Sequence, residues 1–314
     1  MALPHISKSR MFWSRVATFW IPMTKYRRAI RGMIWMGVGN YFRVLRNDKT
    51  THFPHELSVV AIIKDEGPYL KEWLDYHMLV GVEKFYIYDN ESSDNTKQVL
   101  APYIRRGIVE YTYLPGERQQ NIAYIDAINR FSNDTRWLAI IDLDEFIVPV
   151  HNKTITEFLY TLPRNFGALI ISWVIYGSAG HIKKPRGLVT ANYKYHAARN
   201  WGVKSIVNPR LVVRQYNPHL NPVAGFIIDE NGHRLGHIKQ TTNPPSFNHI
   251  RCNHYVTKSF DEYRARCAKG SASVGKNHER KRWSIEKFNK YNQNDIYDDI
   301  MDKYIPLLKK SRRK

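Results

Sequence analysis

Cysteine is scarce: two, Cys252 and Cys267, in 314 residues. That excludes a disulfide framework, and with no C-x-x-C pair there is no sign of a cysteine zinc site. The count fits a reducing compartment. The chain also lacks any run of roughly 18 to 20 uncharged apolar residues, the length a membrane helix requires. A signal peptide is not visible, because Lys8, Arg10, Arg15, Lys25, Arg27 and Arg28 break up the N-terminal apolar residues. No repeat and no low-complexity tract stands out. Acid is in short supply, with 28 Asp and Glu against 48 Lys and Arg, a formal charge of +20. Such an excess attracts polyanions: nucleic acid, anionic membrane or phosphorylated small molecules. Hydrophobic content of 43% and charged content of 24% rule out wholesale disorder.

Residues 1–50 differ from the rest. They carry ten basic residues and one acid, Asp48, interleaved with Phe12, Trp13, Phe19, Trp20, Trp35, Tyr41 and Phe42. A basic, aromatic, amphipathic segment suits an anionic membrane surface. It equally suits a helix docked on the protein's own domain. The expected division is this segment, then a catalytic unit over 51–275, then a helical basic tail over 276–314. The catalytic unit splits into a nucleotide half, 51–150, and an acceptor half, 151–275.

From Leu57 the pattern becomes regular. Leu57–Ile63 is a continuous apolar run, as in a strand buried on both faces. Pro68 suits the first turn of the next helix, and Gly81 stops it. Strands are predicted at 85–88, 108–113 and 137–141, with helices between them, the last at 119–130. The order β-α-β-α-β-α-β predicts a mostly parallel, Rossmann-like sheet flanked by helices, with basic extensions at both ends. Thr154-Ile155-Thr156-Glu157 is a capping box, and 168–175 reads as another strand. Residues 180–255 read as short strands and loops, and 261–269 and 283–290 as helices.

Ligands of open parallel sheets bind outside the carboxyl ends of the strands. Three strands here end in acids: at Asp65-Glu66, at Asp89 and at Asp142-Leu143-Asp144-Glu145-Phe146. Paired carboxylates directly after an apolar strand can hold a hard divalent ion, Mg²⁺ or Mn²⁺, that bridges a diphosphate.

Those stretches resemble glycosyltransferase family 92, nucleotide-sugar enzymes of the GT-A fold. The resemblance rests on Lys64-Asp65-Glu66-Gly67-Pro68-Tyr69-Leu70-Lys71-Glu72-Trp73, on Phe85-Tyr86-Ile87-Tyr88-Asp89-Asn90-Glu91-Ser92-Ser93-Asp94, on Ile141–Phe146, and on Asn253-His254-Tyr255-Val256-Thr257-Lys258-Ser259. It spans residues 57 to about 275 and is loose over 180–250, where acceptor choice would be encoded. It implies that Lys64, Asp65, Glu66 and Asp89 meet the nucleotide. Asp142 would contact ribose and metal, and Asp144 and His254 would bind the metal. His196, His219, His237 and His249 stay unassigned. Arg118, Lys204, Arg210 and Lys258 are the cations that could meet the charge developing on a leaving diphosphate. Lys204 lies in a stretch, Trp201-Gly202-Val203-Lys204-Ser205, that resembles the family's Gly-x-Lys-Ser loop.

The family also implies inversion, which needs a base for the acceptor hydroxyl. Asp229-Glu230 could supply it, or could be the corner of an Asp-Glu-Asn-Gly hairpin. Asp126 is a further acceptor-site candidate. The resulting expectation is a metal-dependent glycosyltransferase that takes a nucleotide-sugar, UDP-sugars favoured, and acts on a glycan or lipid-linked glycan of lipopolysaccharide, capsule or another surface polysaccharide. With no membrane span, the expected place is the inner face of a bacterial cytoplasmic membrane, without nucleic-acid binding. The rivals are a nucleotidyltransferase, whose Gly-rich phosphate loop is missing here, and a nucleic-acid-binding protein, which rests on charge alone.

Overall fold

The first strand shows how the sheet is covered. In β1 (His55–Ile63) the alternate residues Leu57, Val59, Ala61 and Ile63 enter one apolar cluster, while Val60 and Ile62 enter another. A strand that is buried on both faces has no polar face to alternate with, so it reads as an unbroken apolar run. The computed structural model describes residues 6–163, 165–215, 219, 221–236, 245–269 and 284–311. His237, residues 270–283 and the terminal Arg312-Arg313-Lys314 lie outside the described residues.

After β1 come α4 (Gly67–Leu79), β2 (Lys84–Asp89), α5 (Thr96–Arg105), β3 (Val109–Tyr113), α6 (Gln120–Phe131) and β4 (Thr135–Ile140). Pro68 sits in the first turn of α4, as its missing N–H allows. The four strands are parallel, in the order β3-β2-β1-β4. Beyond β4 the sheet becomes mixed. β5 (Glu145–Pro149), α7 (Ile155–Thr161), β6 (Phe166–Ile175), α8 (Val189–Asn192), β7 (Tyr195–His196), β8 (Val203–Val207), β9 (Phe226–Ile228) and β10 (Ile250–His254) follow. The path continues β8-β6-β10-β5, with β9 also on β6. β8 is antiparallel to both β4 and β6, and β10 is antiparallel to β5 but parallel to β6. The capping box at the start of α7 is present, with Thr154 and Glu157 bonding reciprocally.

β5 lies at the end of the sheet, where one side of its backbone has no strand partner among the described residues. Side chains of α4 supply the bonds instead. Trp73 Nε1 donates to the Glu145 carbonyl, Tyr76 Oη donates to the Ile147 carbonyl, and the Ile147 amide donates to His77 Nε2. His77 Nδ1 in turn bonds the Trp73 carbonyl, so the ring is neutral and fully buried. Burial pushes its pKa down to about 3, against a partial pull upward from the Trp73 bond. On acidification the unfolded chain therefore takes up this proton first, and stability falls as the pH drops below about 6.5, the ordinary value. Between pH 7 and pH 5 the native protein is expected to lose about 2 kcal/mol more than His77→Leu does. Urea unfolding of both proteins across that range checks the difference in slope.

The first 50 residues form α1 (Lys8–Thr18), α2 (Thr24–Met36) and α3 (Val38–Thr50). α2 lies close against the chain leading into β9: a Cβ on Gly32 would sit 2.3 Å from the Val223 carbonyl oxygen, so only glycine fits there. Asp48 of α3 pairs with the buried Arg210 at 2.7 Å and accepts from Asn208. Arg210, expected at the donor diphosphate, is thus a strut that also holds the Ser132, Thr135 and Arg136 carbonyls.

α9 (Phe260–Lys269), α10 (Ile285–Tyr291), β11 (Ile296–Tyr297) and α11 (Ile305–Ser311) complete the chain. Residues 284–311 are packed rather than a detached tail. β11 pairs with β7, Met301, Tyr304 and Leu308 join the main core, and Ser311 donates to Asp75.

Candidate functional site

The register of β5 against β10 places Glu145 directly opposite His254. Asp142-Leu143-Asp144 is the turn between β4 and β5, closed by the Glu145 amide on the Asp142 carbonyl. Glu145 returns a bond through Oε2 to the Asp142 amide at 2.9 Å. β8 runs antiparallel beside β4, with Ser205 opposite Ile140, and so brings Lys204 to the same turn. Gly202 makes that approach possible, because its φ is +98° and a Cβ would strike the Trp173 ring. The Trp173 ring also lies against His254, with ring centres 4.2 Å apart.

α9 contributes the last member. Ser259 and Glu262 form a bonded pair at its start, and Glu262 also accepts from Tyr69 and Tyr193 at 2.7 and 2.6 Å. With the helix start fixed in this way, Arg266, one turn further on, reaches the Asp144 carboxylate. Lys258, in the preceding turn, lies over the Tyr69 ring at 4.3 Å.

The electrostatics follow from these contacts. Burial alone would raise the Asp142 carboxyl, but the Lys204 ammonium 2.7 Å away outweighs it and holds it below the usual range. Asp144 is buried too, yet Arg266 and His254 hold it well below that range. Glu145 moves the other way: burial pushes it well up, Asp142 and Asp144 add to this, and Lys204 at 3.2 Å offsets only part. Burial lowers the Lys258 ammonium, against the attraction of Glu66 and Asp144. Glu66 also acts on Arg266, which ties the end of β1 electrostatically to the turn after β4.

Asp144, Glu145 and His254 each offer a ligand atom within 4.8 Å of the others. His254 Nε2 is 3.4 Å from Asp144 and 3.9 Å from Glu145, and the buried Glu145 Oε1 has no hydrogen-bond partner among the described residues. Two carboxylates, one of them with an unsatisfied buried oxygen, and an imidazole fit a divalent cation such as Mn²⁺. The expected set had Asp142 in place of Glu145. Asp142 is instead committed to Lys204, with Gln120 and Tyr124 as weaker donors at 3.3 and 3.4 Å.

The other expected residues make contacts of their own. Asp65 accepts from Ser93 and the Asp94 amide, and Asp89 accepts from the Ser92 amide and Tyr111, so both bind the loops after β1 and β2 to neighbouring structure. Lys64 is half-buried at the end of β1, and Arg118 is exposed before α6 with φ 58°. Asp126 pairs with Arg130 and Tyr88 on the flank of α6.

Asp229 and Glu230 are the main correction. Asp229 accepts from the Asn231 and His233 amides, which makes it the hairpin corner. Glu230 is buried and accepts from the Asn248, His249 and Ile250 amides and from Ser246. It anchors the start of β10, whereas His254 is at the end, about 13 Å along the strand. Four donors thus saturate the Glu230 carboxylate. Arg266, Glu145 and His219 are members that sequence reading left out. His219 bonds the Val203 carbonyl, packs edge-on to Trp173, and is pushed down to about 4 by burial and Lys204.

The family model for glycosyltransferase family 92 matches residues 64–301. The chain belongs to that family. A family 92 protein of Oryza sativa subsp. japonica is 30% identical over 181 residues, which is 56% of this chain and 30% of that protein. One of Arabidopsis thaliana is 26% identical over 232 residues, 70% of this chain and 38% of that protein. The chain thus spans about a third of the length of these plant relatives. Among solved structures, Staphylococcus aureus TarS 1–349 overlaps 71% of the chain and 68% of its own, at 13% identity and a TM-score of 0.39. All four stretches singled out for the resemblance, from Lys64 to Ser259, lie within the family 92 match.

Proposed function

We propose that this family 92 chain transfers a sugar from a nucleoside-diphosphate donor, a UDP-sugar favoured, to a hydroxyl of a glycan or lipid-linked glycan. The observation that carries this is the convergence of Asp144, Glu145 and His254 with three cations, Lys204, Lys258 and Arg266, at the carboxyl ends of the strands. A leaving diphosphate gains negative charge as the glycosidic bond breaks. Fixed cations that meet this charge favour the transition state over the bound substrate.

Asp144, Glu145 and His254 would hold the cation, Mn²⁺ or Mg²⁺, which supplies electrostatic stabilisation of the diphosphate. Lys204 holds Asp142 ionised and fixed, so that its position toward the ribose is set before the donor arrives. Arg266 neutralises Asp144 in the free protein and is placed to turn from the carboxylate to a phosphate oxygen. Lys258, its ammonium weakened by burial, can take up charge density from the leaving group at low reorganisation cost. A surface polysaccharide fits the reading as acceptor.

The test is a donor screen: UDP- and GDP-sugars incubated with the protein and Mn²⁺, with release of the free diphosphate measured. Slow hydrolysis of one donor, abolished by chelator, is the expected result. No release from any donor, in the presence of candidate glycan acceptors as well, would count against sugar transfer.

A further inference from the structure

α1 is built inside out for a water-soluble helix. Its buried residues are small and polar, Ser14 and Thr18, which bond Trp35 Nε1 and Arg31 Nε at 2.8 and 2.7 Å across to α2. Its large apolar residues are exposed, beside the exposed Lys8, Arg10 and Arg15. Phe12, Trp13, Val16, Phe19, Trp20 and Met23 recur at helical spacing through α1 and the turn after it, with Trp13, Phe19 and Trp20 exposed by 63%, 71% and 69%. A normal surface helix turns such a stripe inward.

Beside this ridge is a cavity of about 350 Å³ between α1, α2 and the segment before β9, lined by Arg15, Arg27, Arg28 and Arg31 with Trp35 and Val223. That is room for roughly ten water molecules, or for a phosphate with part of an attached alcohol. No carboxylate pairs with any of these four guanidiniums among the described residues. Arg27 donates to the Ile21 and Pro22 carbonyls, Arg28 to those of Leu235 and Gly236, and Arg31 to Thr18. These bonds orient the guanidiniums without neutralising them. Asp48, the segment's single acid, is taken by Arg210. Burial lowers Arg28 to about 10, and burial together with Arg27 and Arg15 lowers Arg31, as expected where cations crowd without a counter-ion.

We propose that the cavity binds the phosphate of an anionic lipid headgroup while the aromatic ridge of α1 enters the bilayer interface. Two features independently select this ligand. Four unneutralised guanidiniums match a phosphate, for which arginine's fork of donors is suited. A ridge of Trp and Phe beside them matches the headgroup–acyl boundary, and a soluble phosphate would leave it without a partner. Among the described residues no helix is long and apolar enough to cross a membrane, so this contact would act at the surface. It would hold a lipid-linked acceptor near the candidate site, but it does not depend on sugar transfer and is read without donor.

The test is cosedimentation of the full chain with vesicles of phosphatidylcholine alone or with added phosphatidylglycerol, and the same with glycerol phosphate in solution. Arg15→Glu is the main variant, since Arg15 is exposed and makes no hydrogen bond or ion pair among the described residues. Arg31→Gln and Trp13→Ser/Trp20→Ser complete the set, with thermal melting to confirm folding. Binding is expected with phosphatidylglycerol only, at least tenfold weaker for Arg15→Glu. The Trp variant is expected to lose vesicle binding but keep its affinity for glycerol phosphate. Equal binding to neutral vesicles, or unchanged binding of folded Arg15→Glu and Arg31→Gln, would overturn the proposal. Binding of glycerol phosphate without vesicle binding would assign the cavity to a soluble ligand and overturn it as well.

Discussion

Asp144→Asn is expected to lower donor turnover by about 10²- to 10³-fold, the loss seen when one fixed group that meets developing charge is removed. Asp144 offers a ligand atom to the cluster with Glu145 and His254, and its carboxylate is held ionised despite burial. Asparagine keeps the shape and removes the charge. The same change leaves Arg266 without its counter-charge, so stability should also fall, by about 3 kcal/mol, as for a broken buried pair. The two effects separate in a double variant. Asp144→Asn/Arg266→Met removes both charges and should recover most of the stability but none of the activity. Denaturant unfolding and diphosphate release, measured on all three proteins, check this. If the double variant regains both, Asp144 matters only as a structural partner of Arg266.

Lys204→Met should give the largest loss of stability. The ammonium is fully buried, 2.7 Å from Asp142 and 3.2 Å from Glu145. Removing it strands the ionised Asp142 carboxylate, at a cost of about 3 to 5 kcal/mol near neutral pH. The sign with pH is fixed. In the native protein Lys204 holds Asp142 below its ordinary value. In the variant burial is no longer outweighed, so the Asp142 carboxyl rises above its unfolded value. The destabilisation is then full at higher pH and shrinks on acidification, as the stranded carboxylate takes up a proton. Unfolding of both proteins at several pH values reads this as a gap that closes downward. A gap independent of pH would mean that Lys204 contributes packing rather than charge.

The nucleotide half of the sheet was legible because each element there is set locally. The apolar run of β1, Pro68 in α4 and the acids at the strand ends place β1 to β4 within a residue or two. Lys204 and His254 were reachable through short motifs. The rest of the site depends on pairing between distant strands. Glu145 follows the D-x-D pair in plain view, but its role appears only when β10 sets His254 opposite it. Arg266 was hidden among 48 basic residues and is distinguished only by the Ser259–Glu262 pair that aims its helix. Asp229-Glu230 carried two readings, and the backbone amides of 231, 233 and 248–250 decide for the turn. In the N-terminal segment α2 and α3 dock on the domain, while α1 turns its aromatic residues to solvent.

The most direct measurement is the Mn²⁺ dependence of donor turnover in the wild type, His254→Ala and Asp229→Asn. If Asp144, Glu145 and His254 hold the cation, His254→Ala should need at least tenfold more Mn²⁺ for half-maximal turnover, while Asp229→Asn stays within about twofold of wild type. An unchanged Mn²⁺ requirement in His254→Ala, or an inactive but folded Asp229→Asn, would contradict the placement of the site.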